Sequence, residues 1–83
     1  MNEILNYRMK INLVTQTDVI TFVNIASHFD KNSKLYIMNS DKNMCINARS
    51  LLGCLAAQEF DNMWLYSDND KIHTAFREFE INE

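Results

Sequence analysis

The apolar residues in the first third of the chain keep two different periods in succession, and this limits the possible folds more than any other feature. Tyr7, Met9, Ile11 and Leu13 alternate with Arg8, Lys10 and Asn12, the spacing of a strand with one face buried. From Val19 onward the spacing changes, and Val19, Ile20, Phe22, Val23, Ala26 and Phe29 form the apolar side of a helix expected over 16–29. Thr15 and Asp18 mark the junction as a capping-box pair, Thr15 serving as N-cap and Asp18 standing three residues on.

The remaining segments extend the same alternation of strand and helix. Asp30-Lys31-Asn32-Ser33 is a polar connector, and Leu35-Tyr36-Ile37-Met38 predicts a second strand. The turn at Asn39-Ser40-Asp41-Lys42-Asn43 lacks glycine, so asparagine or aspartate is expected to take any left-handed conformation there. Met44-Cys45-Ile46 predicts a short third strand. Asn47 to Leu55 reads as a short amphipathic helix with Asn47 as N-cap and Ser50 at the third helical position, and it holds the only glycine in the chain, Gly53. Gln58 to Asn62 is a loop, and Met63-Trp64-Leu65-Tyr66 has strong strand propensity. Ser67 with Asp70 repeats the capping-box spacing, and Ile72, Ala75, Phe76 and Phe79 then follow the helical period. The order β-α-β-β-α-β-α, with helices on one face of an antiparallel sheet, is an α+β two-layer domain.

At 83 residues the chain is expected to form one domain, 1–83, that buries ~60–65% of its unfolded surface. A net charge of −3 argues against nucleic acid or an anionic membrane surface as partner. No apolar run approaches the ~20 residues of a membrane span, and residues 1–8 lack a signal-peptide pattern, so a cytoplasmic protein is expected. Cys45 and Cys54 are expected as two buried thiols of a reducing compartment. Trp64, Tyr66 and the phenylalanines are expected in the core. HExxH, paired carboxylates, CxxC and glycine-rich phosphate loops are absent from the sequence, so no metal, cofactor or self-contained enzymatic activity is expected.

Asn47-x-x-Ser50-Leu51-Leu52-Gly53-x-Leu55 resembles the Asn-x-x-Ser-aliphatic-Met-Gly-x-Met segment of HPr, the phosphocarrier of the bacterial phosphoenolpyruvate:sugar phosphotransferase system. Ala26-Ser27-His28-Phe29 is similar to the end of the first HPr helix, and the order of elements follows HPr along the chain. The resemblance implies an HPr-like fold, a four-stranded antiparallel sheet with three helices on one face. It also implies that Ser50 is a regulatory phosphosite for an ATP-dependent serine kinase, while the residues alone allow a serine with only local hydrogen bonds. It further implies a protein-docking surface of Gln16, Thr17, Leu51, Leu52 and Leu55, with at least one leucine anchoring the helix in the core.

The family's phosphohistidine run, Gly-x-His-Ala-Arg-Pro, is changed here. Thr15 occupies the histidine position, Thr17 the arginine position and Asp18 the proline position. A carboxylate therefore stands where a phosphoryl group would sit at a helix start. His28 lies about 13 residues from that site, or ~20 Å along a helix, and His73 is expected in the last helix; both are expected as ordinary exposed histidines. The resulting expectation is an HPr-like regulator or adaptor, bacterial and related to the phosphotransferase system, that binds partner proteins through the Ser50 helix without histidine phosphotransfer. The alternative is a structural or interaction domain that has the HPr fold and no remaining phosphotransferase-system role.

Overall fold

The two periods of the N-terminal third become a strand and a helix packed on each other. The computed structural model describes residues 5–81. Its elements are β1 (Tyr7–Ile11), α1 (Gln16–Ser27), β2 (Leu35–Met38), β3 (Cys45–Asn47), α2 (Leu51–Ala57), β4 (Met63–Ser67) and α3 (Ile72–Ala75), followed by a 3-10 turn, Arg77–Phe79. The strands form one antiparallel sheet in the order β1-β4-β2-β3, as expected for the α+β class and for an HPr-like arrangement.

Side-chain alternation gives the sheet two faces. The inner face presents Met9 and Ile11 of β1, Leu35 and Ile37 of β2, and Met63 and Leu65 of β4, none more than 5% exposed. These side chains share one core with Val19, Phe22 and Ala26 of α1, Cys54 and Ala57 of α2, Ile72 of α3, and Phe76 and Phe79. Phe22 joins the layers at the chain's C-terminal end: its ring lies 4.7 Å from that of Phe76 and 5.7 Å, edge-on, from that of Phe79. Beyond the 3-10 turn the chain runs beside β1, where the Ile81 N–H donates to the Lys10 carbonyl and the Asn12 N–H to that of Phe79, each at 2.9 Å.

Several expectations are corrected. Trp64 and Tyr66 belong to the outer face of β4, because Met63 and Leu65 take the inward positions; Trp64 is half-buried there, while Tyr66 is buried as expected, at 9% exposed, though outside the main core cluster. Cys45 is exposed, since the three-residue edge strand β3 turns only Ile46 inward; Cys54 is buried, and desolvation pushes its thiol up to about 11. The left-handed residue of the β2–β3 turn is Lys42, φ 60°. Asn39 and Asn43 are engaged there with each other, Nδ2 to Oδ1 at 2.7 Å, and the Asn39 Oδ1 also accepts from the Met44 N–H. Helix α1 stops at Ser27, and the next two N–H groups, of His28 and Phe29, turn to the carbonyls of Ile25 and Ala26, the tightened geometry of a 3-10 end.

The last helix is interrupted. Ser67 is the buried end of β4 and accepts from the Asn69 N–H, while the Asn69 side chain accepts from the Lys71 N–H. These short turns replace the expected Ser67–Asp70 capping box, and α3 starts without a side-chain cap. It lasts four residues before Phe76, at φ −108° and ψ 20°, breaks into the 3-10 turn.

Candidate functional site

The start of α1 closes on itself. Thr15, extended, accepts the Asp18 N–H on Oγ1 at 3.0 Å, and Asp18 Oδ2 accepts the N–H groups of Val14 at 3.0 Å and Thr15 at 3.2 Å. The capping box inferred from residue spacing is present, and it uses N–H groups that an anion at a helix start would otherwise find. The carbonyls just before the helix are engaged as well. Gln58, the C-cap of α2, donates from Nε2 to the carbonyls of Leu13 at 3.0 Å and of Val14 and Thr15 at 3.4 Å, which ties the end of α2 to the start of α1. Gln16 and Thr17 lie exposed in the first turn beside this junction.

Ser50 stands three positions earlier in α2 than its spacing from Asn47 suggests. It is the N-cap itself, its Oγ accepting the Gly53 N–H at 3.0 Å. Asn47 instead accepts the Arg49 N–H at 2.8 Å and belongs to β3. Arg49 fastens the entry to the helix, donating to the carbonyls of Ser33 at 3.1 Å and Asp30 at 2.9 Å. Ser50→Ala is therefore expected to lose ~1 kcal/mol of stability and Ser50→Asp to retain nearly all of it, because aspartate caps as well as serine. Urea denaturation of the three proteins checks this, and an Ala variant as stable as the parent would refute the cap.

The three leucines divide between roles. Leu55 packs partly buried against the core, whereas Leu51 is 45% exposed and Leu52 81%. Gly53, between them, faces β3, where a Cβ would come within 2.7 Å of the Ile46 Cγ2. Leu51 and Leu52 stand at one end of a seven-residue helix and Gln16 and Thr17 beside the other, ~10 Å apart along the axis. One protein footprint of ~800 Å² would cover both ends. Residue spacing placed Ile20 on the apolar side of α1, yet it is 58% exposed and Val14 69%. Ile20 lies off the stripe of Val19, Phe22 and Ala26 that meets the sheet.

His28 is exposed at the end of α1 and places Nδ1 2.7 Å from the Asn24 carbonyl. His73, also exposed, meets the Tyr7 ring edge-on at 6.1 Å. Among the described residues no cluster of three His, Cys, Asp or Glu side chains could hold a metal ion, and no helix is long and apolar enough to cross a membrane.

Fold and site together define a two-layer α+β domain with a self-capped first helix and an exposed leucine pair at the start of its second. No protein-family model matches the chain, and neither a curated protein nor a solved structure does so.

Proposed function

We propose that this chain is an HPr-like regulator or adaptor, related to the bacterial phosphotransferase system, that binds partner proteins through α2 and carries no phosphohistidine. The observation that supports this most directly is a serine N-cap followed at once by two exposed leucines, Leu51 at 45% and Leu52 at 81%. Exposed apolar side chains at the start of a short helix suit a docking contact. Phosphate on Ser50 would bring a charge of about −1.5 to −2 against that contact and would favour the helix start that carries it. At α1, Thr15 offers no imidazole, Thr17 no guanidinium, and Asp18 already holds two of the N–H groups.

The test uses the intact chain in two incubations read by intact mass. One contains phosphoenolpyruvate and the first enzyme of the phosphotransferase system; the other contains ATP and the serine kinase that modifies HPr. The expected result is acid-stable phosphate in the second incubation alone. It should be lost in Ser50→Ala and slowed at least ~10-fold in Leu52→Asp, the scale of a central apolar contact. Acid-labile phosphate in the first incubation would overturn the reading and direct attention to His28 or His73. No phosphate in either would favour a domain that keeps the fold without a phosphotransferase-system role, which the filled start of α1 also suits.

A further inference from the structure

The outer face of the sheet is unlike the chain as a whole. Register aligns its side chains in two rows across all four strands, Arg8-Tyr66-Tyr36-Asn47 and Lys10-Trp64-Met38-Cys45. The two central strands carry the aromatic rings and β1 carries two cations. Among the described residues no helix covers this face, since the core cluster with its helices lies on the other side of the sheet; Tyr66, at 9% exposed, is shielded by its neighbours on this face. The Arg8 guanidinium lies 5.1 Å from the centre of the Trp64 ring, and the Lys42 ammonium 5.6 Å from that of Tyr66.

None of the outward strand positions holds a carboxylate. Among the described residues, acids stand at the margins of this face: Asp41 beside Lys42, Asp68 just past β4, whose Oδ1 accepts the Lys34 N–H at 2.9 Å, and Glu80, whose backbone bridges Ile11 at the edge of β1. Asp18, Asp30, Glu59, Asp61, Asp70 and Glu78 belong to helices and loops. The net charge of −3 is thus a sum over unlike surfaces, and the expectation it raises against polyanions does not describe this face. Lys42 also keeps a left-handed backbone at φ 60°, where asparagine is far better tolerated than lysine. That strain sets a cation at the rim of an aromatic row.

We propose that this face binds single-stranded nucleic acid, its bases stacking on Trp64 and Tyr36 and its phosphates meeting Arg8, Lys10 and Lys42. Aromatic rings on central strands accept the flat faces of unpaired bases, and cations beside them take the backbone. Four strands span ~14 Å from first to last, which accommodates two or three bases. A duplex, with its bases already stacked, offers only its phosphates.

Trp64 is the only tryptophan, so its fluorescence reports the contact directly. The intact chain is titrated with an oligouridylate of about 12 nucleotides, a length within the usual single-strand site sizes, and binding is followed by Trp64 fluorescence and by anisotropy of the labelled oligonucleotide. Saturable quenching is expected, with affinity falling ~20-fold between about 50 and 200 mM salt for three phosphate contacts. Arg8→Glu with Lys10→Glu should weaken binding at least ~10-fold and Trp64→Leu at least ~5-fold, whereas Trp64→Phe, which keeps a ring, should stay within ~3-fold. Circular dichroism of each variant confirms that the fold persists, and the Phe variant preserves the test if the Leu variant unfolds. The proposal is overturned by an absence of saturable binding at the lower salt, or by charge-reversed protein that binds as the parent does. Equal competition by inorganic polyphosphate, or preferential binding to anionic phospholipid vesicles, would likewise overturn it by showing that bases are not read.

Discussion

Phe22→Ala should remove ~3–5 kcal/mol of stability, the usual loss for a fully buried aromatic ring. Phe22 is 0% exposed and is the one α1 side chain that meets both Phe76 and Phe79. Its loss opens a void between α1 and the broken C-terminal helix. The two remaining rings, Phe76 and Phe79, cannot collapse into that space without moving the C-terminal segment that pairs beside β1. A chain of 83 residues has ~4–12 kcal/mol in all, at about 0.05–0.15 kcal/mol per residue, so the variant is expected near the edge of folding. Urea titration followed by far-ultraviolet circular dichroism measures the shift. A midpoint lowered by less than ~1 M, at an ordinary slope of ~1 kcal/mol per M, would show that Phe22 does not join the layers.

Gly53→Ala should destabilise the protein by ~1–2 kcal/mol, although alanine is the better helix former by ~1 kcal/mol. The new Cβ would lie 2.7 Å from the Ile46 Cγ2 and 3.0 Å from the Ser50 Oγ. Ile46 is β-branched and sits in a strand, so its Cγ2 cannot swing aside. Relief would require α2 to lift from β3, and overpacking of this kind costs ~1–3 kcal/mol. A double-mutant cycle isolates the contact. In an Ile46→Leu background, which lacks the branch, the Gly53→Ala change should become neutral or stabilising. Equal gains in both backgrounds would mean that α2 does not press on β3. The only glycine in the chain is therefore a matter of close approach, and that approach seats the helix that displays Leu51 and Leu52.

Much of this was legible wherever a signal was local and unshared. The alternation of Tyr7, Met9 and Ile11 with charged neighbours is β1, and the Thr15–Asp18 box starts α1 at the residue expected, because both partners lie within one turn and no distant group competes for them. Leu35–Met38 is β2 as read. The cap of α2 was misplaced because Asn47 and Ser50 are equally good N-caps in isolation. The sheet chooses between them: Asn47 pairs with Tyr36, the Ala48 N–H donates to the Leu35 carbonyl, and Ala48 is fully buried. No helix can begin until the chain has left the sheet, and Ser50 is the first capping residue beyond it. The last helix broke for a similar reason. Asn69 and Ser67 spend their side chains on short turns, and Phe79 reaches Phe22 only through the bend at Phe76.

The sequence by itself determined the order of elements, the α+β class and the self-capped start of α1, since each depends on residues within a turn or two of one another. Tertiary structure decided which face of each strand is inside. In β4, Met63 and Leu65 alternate with Trp64 and Tyr66, and both sets are apolar enough for a core. The tie is broken by β1, where Arg8 and Lys10 admit only one burial, and pairing sets Lys10 against Trp64 and Arg8 against Tyr66. A charged side chain is far costlier to bury than an aromatic one is to expose, so the preference of β1 propagates through the ladder and turns the tryptophan outward.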